Sequence, residues 1–99
     1  MILIESIHYI KRCKERAVNN NLIRKLLKNY KTIEDTMIVI PSRIFKDLGS
    51  KLKKSKNTNT ILFIKNGIIV TAYKTTDNLY YFIKSKMKGN RIDLILSVP

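Results

Sequence analysis

Thr60-Ile-Leu-Phe-Ile-Lys65, then Asn66-Gly67, then Ile68-Ile-Val-Thr-Ala-Tyr73 is the stretch from which the fold is read. Two runs rich in aliphatic and β-branched residues flank a dipeptide that tolerates positive φ at both positions. Asn-Gly is the preferred two-residue hairpin connection, because its backbone twist matches that of the strands it joins. An antiparallel pair over 60–65 and 68–73 therefore anchors a sheet. By the two-residue period of a strand, Thr71 and Tyr73 stand on one face of it.

Working outward, Met37-Ile-Val-Ile40 reads as a short buried strand ended by Pro41. Ser42 is placed to cap a short helix at 43–48, which Gly49 would stop. Residues 51–57 form a basic, polar loop. A helix from Asp77 to about Lys88, with Leu79, Phe82, Ile83 and Met87 inward, would end at Gly89-Asn90. Ile92 to Leu96 then closes as a strand. On the N-terminal side, residues 5–17 show helical periodicity, with Ile7, Ile10, Cys13 and Ala17 as the apolar stripe and Leu3 below it. Asn19-Asn20-Asn21 interrupts, since asparagine favours turns and caps. A second helix follows over about 20–30, with Leu22, Ile23, Leu26, Leu27 and Tyr30 on its apolar face and Arg24, Lys25 and Lys28 opposite. The expectation is one α+β domain, residues 1–99, with two N-terminal helices packed on a mostly antiparallel sheet of about four strands. No repeat and no linker divides it.

The charge balance narrows the partners. Twenty Lys+Arg stand against seven Asp+Glu in 99 residues, a formal net charge of +13. Solubility seldom asks more than about 8 of a small domain. A polyanionic partner accounts for the excess, nucleic acid foremost. An anionic membrane surface or an acidic protein would satisfy the same balance. With 44% hydrophobic residues the chain can still bury a core. One cysteine and one histidine exclude an intrachain disulfide framework and a structural zinc site built by one chain. The aspartates are scattered and suggest no metal cluster, so neither metal nor cofactor is expected. There is no Gly-rich phosphate loop, CxxC or nucleophile elbow to suggest ATP, zinc or serine-hydrolase chemistry. No basic-then-apolar leader is visible, and no apolar run approaches the roughly 20 residues of a membrane span. A soluble protein acting in the reducing cytoplasm is the expectation.

The one histidine meets fixed cations in Glu5-Ser-Ile-His-Tyr-Ile-Lys-Arg-Cys-Lys-Glu-Arg16. His8, Arg12 and Arg16 recur every four residues, which stacks them along one flank of a helix. Metal-free RNA cleavage needs a base for the 2′-OH proton, an acid for the leaving 5′-oxygen and cations for the charged phosphorane. His8 has the right acid-base range, and guanidinium is a rigid, permanently charged fork for phosphate oxygens. Two guanidinium neighbours favour the uncharged imidazole. A solvated helix face would produce the same spacing. Thr71, Tyr73 and Lys74 could complete a phosphate pocket against helix 1, although threonine and tyrosine are also ordinary strand formers. Arg24, Lys51, Lys53, Lys54, Lys56 and Lys74 are candidate contacts to a nucleic-acid backbone, and Tyr80-Tyr81-Phe82 could stack bases.

The run His8-x3-Arg12-x3-Arg16, with Glu15 before the last arginine, resembles the opening helix of a family of small bacterial domains of unknown function. That family opens H-x3-R-x2-E-R-x-I/V and continues to a second helix and a hairpin ending in T-x-Y. This chain has Glu15-Arg16-Ala17-Val18, then Leu22 to Tyr30, then Ile69-Val-Thr71-Ala-Tyr73, with Ala17 where the family carries Gly. The family in turn resembles the RelE, barnase and colicin-type RNase superfamily, whose members are often toxins paired with an antitoxin or immunity protein. The resemblance implies a RelE/barnase-like fold and a metal-independent endoribonuclease toxin. Such a toxin would cleave tRNA or mRNA, with His8, Arg12, Arg16, Thr71 and Tyr73 as site positions. It also implies RNA and an acidic antitoxin or immunity protein as partners, and allows delivery as part of a larger secreted toxin. Two other readings stay open: a non-catalytic nucleic-acid-binding protein from a phage or mobile element, and a protein-interaction or inhibitor module.

Overall fold

The computed structural model describes residues 3–28, 30, 34–47, 58–76, 84 and 91–95, with backbone alone at 46 and 47. In chain order the elements are β1 (Ile4–Glu5), α1 (Ile7–Glu15), α2 (Asn20–Leu26), β2 (Thr36–Ile40), α3 (Ser42–Asp47), β3 (Asn59–Lys65), β4 (Ile68–Thr75) and β5 (Arg91–Leu94). The hairpin is present: β3 and β4 pair antiparallel, and Asn66 and Gly67 both hold positive φ, 52° and 75°. Asp35 steadies the turn by accepting from the Asn66 amide at 3.2 Å.

The fold is α+β, with all three helices on one sheet face. Their buried side chains form one cluster with Ile38 and Ile40 of β2, Leu62 and Ile64 of β3, and Ile69 and Ala72 of β4. The sheet differs from the expected one. It has five strands in the order β1-β4-β3-β2-β5, and it is mixed, because both outer strands run parallel to their neighbours. Of β1, Glu5 was expected to open the first helix. Ile4 instead donates to Gly67 O at 3.0 Å and Ser6 to Ile69 O at 3.1 Å. A two-residue strand is too short to show a period, and its partner lies more than 60 residues away.

Helix 1 is shorter than the expected 5–17 and is turned about its axis. Ser6 ends the strand and caps the helix, accepting from the Tyr9 amide at 3.0 Å and donating to Val70 O at 3.2 Å. The buried face carries Tyr9 and Cys13, while Ile7 is 86% exposed and Ile10 lies outside the core. The apolar stripe drawn through Ile7, Ile10, Cys13 and Ala17 is therefore corrected. Tyrosine offers more area than isoleucine, and its hydroxyl finds a partner, Asn20 Oδ1, at 2.6 Å.

The short helix expected at 43–48 begins at Ser42, which is its first residue and not its cap, and the strand expected at 37–40 begins one residue earlier, at Thr36, and is buried throughout. Helix 2 ends at Leu26, earlier than expected, with Leu27 as its cap. The basic loop with Lys51, Lys53, Lys54 and Lys56, the Gly49 stop, Tyr80-Tyr81-Phe82 and Gly89-Asn90 lie outside the described residues. Of the helix expected at 77–88 only Lys84 is described, and it is helical.

The end of α1 explains Ala17. Val18 donates to Cys13 O at 2.9 Å, five residues back, and Ala17 sits at φ 51°. This is the left-handed closure that normally takes glycine. A Cβ there costs about 1 kcal/mol. Ala17→Gly is expected to raise stability by up to about 1 kcal/mol, read as a higher urea midpoint at unchanged slope.

Candidate nucleic-acid interface

The flank expected for His8, Arg12 and Arg16 is present on α1, but each group is engaged. Arg12 Nε donates to His8 Nε2 at 3.3 Å, and Arg12 Nη1 pairs with Glu15 Oε2 at 2.8 Å. In the first contact His8 Nε2 accepts from the guanidinium. Arg16 reaches over the helix edge and donates to Ala72 O at 2.8 Å. Lys74 donates to Ala17 O at 2.7 Å, at the C-terminal end of α1, where the helix dipole favours a cation.

Thr71 and Tyr73 do not join this flank. After the turn, Lys65 pairs with Ile68 and Ile64 with Ile69, and then the register shifts so that Phe63 pairs with Thr71 and Ile61 with Tyr73. Val70 is the extra residue of a β-bulge. In the unbulged register Thr71 would oppose Leu62, on the helical side. The bulge moves every later residue of β4 to the other face. Ala72 lies under the helices, while Tyr73 packs with Met37, Val39, Ile61 and Phe63 on the far face. The five expected site residues are thus divided by the sheet.

Arg24, expected to face nucleic acid, is held by a carboxylate. Its Nε and Nη2 donate to Glu5 Oε2 and Oε1 at 2.7 and 2.8 Å, and Asn20 Nδ2 donates to Glu5 Oε1 at 2.7 Å. Tyr9 donates to the same Asn20, so one chain of hydrogen bonds ties β1, α1 and α2. The Arg24 hydrogen bond holds the Glu5 carboxyl below its ordinary value of 4.5, against the opposing effect of burial. Burial pushes the Tyr9 phenol and the Cys13 thiol upward, so neither is primed to ionise. Among the described residues no three His, Cys, Asp or Glu side chains gather to hold a metal ion. No described helix is long and apolar enough to cross a membrane.

On the helical side a cavity of about 290 Å³ opens beside Leu3, Ile23, Leu27 and Lys28, among others, and the surface around it is basic. From Ile7 to Lys28 there are seven Lys and Arg against one carboxylate, Glu15. Lys14, Lys25 and Lys28 are exposed and form no ion pair among the described residues. On the far face, a cavity of about 270 Å³ is bordered by Phe63, Thr71, Lys65 and Arg91, among others. Phe63 and Tyr73 stack there with ring centroids 5.7 Å apart. Sequence reasoning missed Phe63 because only the bulge sets it opposite Thr71.

The Glu5 carboxylate is stabilised in the folded state, so its contribution is present above about 4.5 and is lost as pH falls through the depressed folded value. Unfolding midpoints in urea should drop as the pH is lowered below 4.5, and Glu5→Gln should flatten that part of the profile. An unchanged profile in the variant would refute the assignment. Comparison with known proteins brings no match: no family model, no curated protein and no solved structure aligns significantly with this chain.

Proposed function

We propose that the chain is a nucleic-acid-binding domain whose helical layer contacts the phosphate backbone. The supporting observation is the charge of that layer, seven cations against Glu15 between Ile7 and Lys28. Arg12, Arg16 and Arg24 are engaged within the fold and Lys11 pairs with Glu15, which leaves Lys14, Lys25 and Lys28 as the phosphate contacts. Such contacts release counterions, giving affinity that falls linearly with log salt. They position a strand without reading its sequence. An acidic protein could cover the same layer and compete with nucleic acid.

One observation favours a second, narrower reading, the metal-independent endoribonuclease toxin of RelE/barnase type. His8 is exposed, and the lone pair of its Nε2 is held beside Arg12 Nε. Once Arg12 releases it, the Nε2 of the imidazole would be free to take a 2′-OH proton while the guanidinium turns to hold a phosphate oxygen. Arg16 would have to exchange the Ala72 carbonyl for phosphate, and Thr71 and Tyr73 would take no part from across the sheet. In this reading an antitoxin or immunity protein is the acidic partner.

The two readings separate by experiment. Lys14→Ala with Lys25→Ala and Lys28→Ala should leave folding intact and lower the slope of log affinity against log salt by about 3 for an RNA oligonucleotide, about one per phosphate contact. An unchanged slope would overturn the first reading. Incubated with total cellular RNA in EDTA, the wild type should cut and His8→Ala should not if the second reading holds. Intact RNA at high protein and low salt removes it.

A further inference from the structure

We infer that the far-face cavity between β2, β3, β4 and β5 is a pocket for one unstacked base of a single-stranded nucleic acid. The inference rests on the nucleic-acid-binding reading and adds a substrate class to it. Four observations converge. The cavity, about 270 Å³, lies on the sheet face opposite the helices, at the end where the hairpin turns. That volume is at the small end for ligand pockets and suits one ring system better than a longer segment.

Its floor is aromatic and apolar. Phe63 and Met37 border the cavity, whereas Tyr73, stacked on Phe63 at an interplanar angle of 26°, does not. Tyr73 therefore braces the Phe63 ring from outside the cavity, and a guest in the cavity meets Phe63. Base stacking on such a ring is tolerant of sequence, because every base has a π-face.

Its rim is polar in both senses. Asp35 and the Thr71 hydroxyl can accept, while Thr71 and Lys65 can donate. A base presents this kind of mixed edge once it is unpaired. Arg91 also borders the cavity, but its guanidinium is taken up by Glu34 and Asp93. Lys65 is exposed and forms no ion pair among the described residues, so its ammonium is available for the phosphate beside the stacked base. A duplex keeps its bases stacked and paired and cannot supply the guest.

The bulge at Val70 builds the pocket. It turns Thr71 toward Phe63 instead of toward α1. Ile4 of β1 stands at the neighbouring sheet edge, 63% exposed, so a strand leaving the pocket can round that edge toward α1.

The test uses the whole chain with a labelled single-stranded RNA of mixed sequence and the matching RNA duplex, by fluorescence polarisation at low salt. Wild type should bind the single strand at least about tenfold more tightly, and Phe63→Leu should lose about five- to tenfold on the single strand alone. Phe63→Leu keeps an apolar side chain of similar volume, and its thermal melt checks the fold. Lys65→Ala, an exposed change, should weaken the single strand about two- to threefold without affecting the melt. As a measurement that needs no variant, the aromatic resonances of Phe63 and Tyr73 in the wild type should shift on adding the single strand. Equal binding of single strand and duplex, with those resonances unmoved, overturns the pocket and leaves the helical-layer reading standing. Binding of neither nucleic acid overturns both.

Discussion

A single extra residue in β4 decides which groups can meet. Val70 has no partner in β3, and from Thr71 onward every side chain of the strand changes face. Three consequences follow from that bulge. Ala72, with its small side chain fully buried, comes to lie under the helices. Its carbonyl receives the Arg16 guanidinium, and the carbonyl of Val70 receives the Ser6 hydroxyl. Thr71 and Tyr73 go to the far face, where Tyr73 stacks on Phe63. Bulges often sit where a strand must aim a side chain, and here the aim is away from the histidine helix.

The second constraint is the buried phenol of Tyr9. It sits fully inside the core and makes its hydrogen bond to Asn20, whose amide in turn holds Glu5 beside Arg24. A hydroxyl buried without a partner would cost about 1–3 kcal/mol, so Asn20 and Tyr9 specify one another. This chain sets the rotation of α1. With Tyr9 and Cys13 inward, Ile7, His8 and Lys11 turn outward and Arg12 and Arg16 ride the edge. Chemistry on the helix is thus governed by a residue that takes no part in it.

Much of the architecture was legible from local signals. Asn66-Gly67 announced the hairpin because only a turn with two positive φ values asks for that dipeptide. The run at 37–40 announced a buried strand by length and branching, and the short helix after it was expected within a residue of its start, although Ser42 opens it instead of capping it. Features set by distant partners were not legible. Glu5 looks helical in isolation, and Ile4 and Glu5 become a strand only because β4 is there to pair with them. The apolar stripe of helix 1 was misread because Tyr9, amphipathic, outweighed Ile7 and Ile10 once Asn20 could satisfy its hydroxyl. For the site, the grouping of His8, Arg12 and Arg16 followed from periodicity alone. Their supposed union with Thr71 and Tyr73 failed because period-two counting has no knowledge of a bulge. Arg24 likewise counted as a free cation until Glu5 was found beside it.

The central claim is that the outer surface of α1 and α2 holds a polynucleotide backbone. Lysine acetylation of the whole protein, with and without single-stranded RNA and read by mass spectrometry, tests it most directly. The account predicts that Lys14, Lys25 and Lys28 are protected by RNA, and that protection fades as salt screens the phosphates. Unchanged acetylation at all three, with RNA bound and protecting lysines elsewhere, would contradict it.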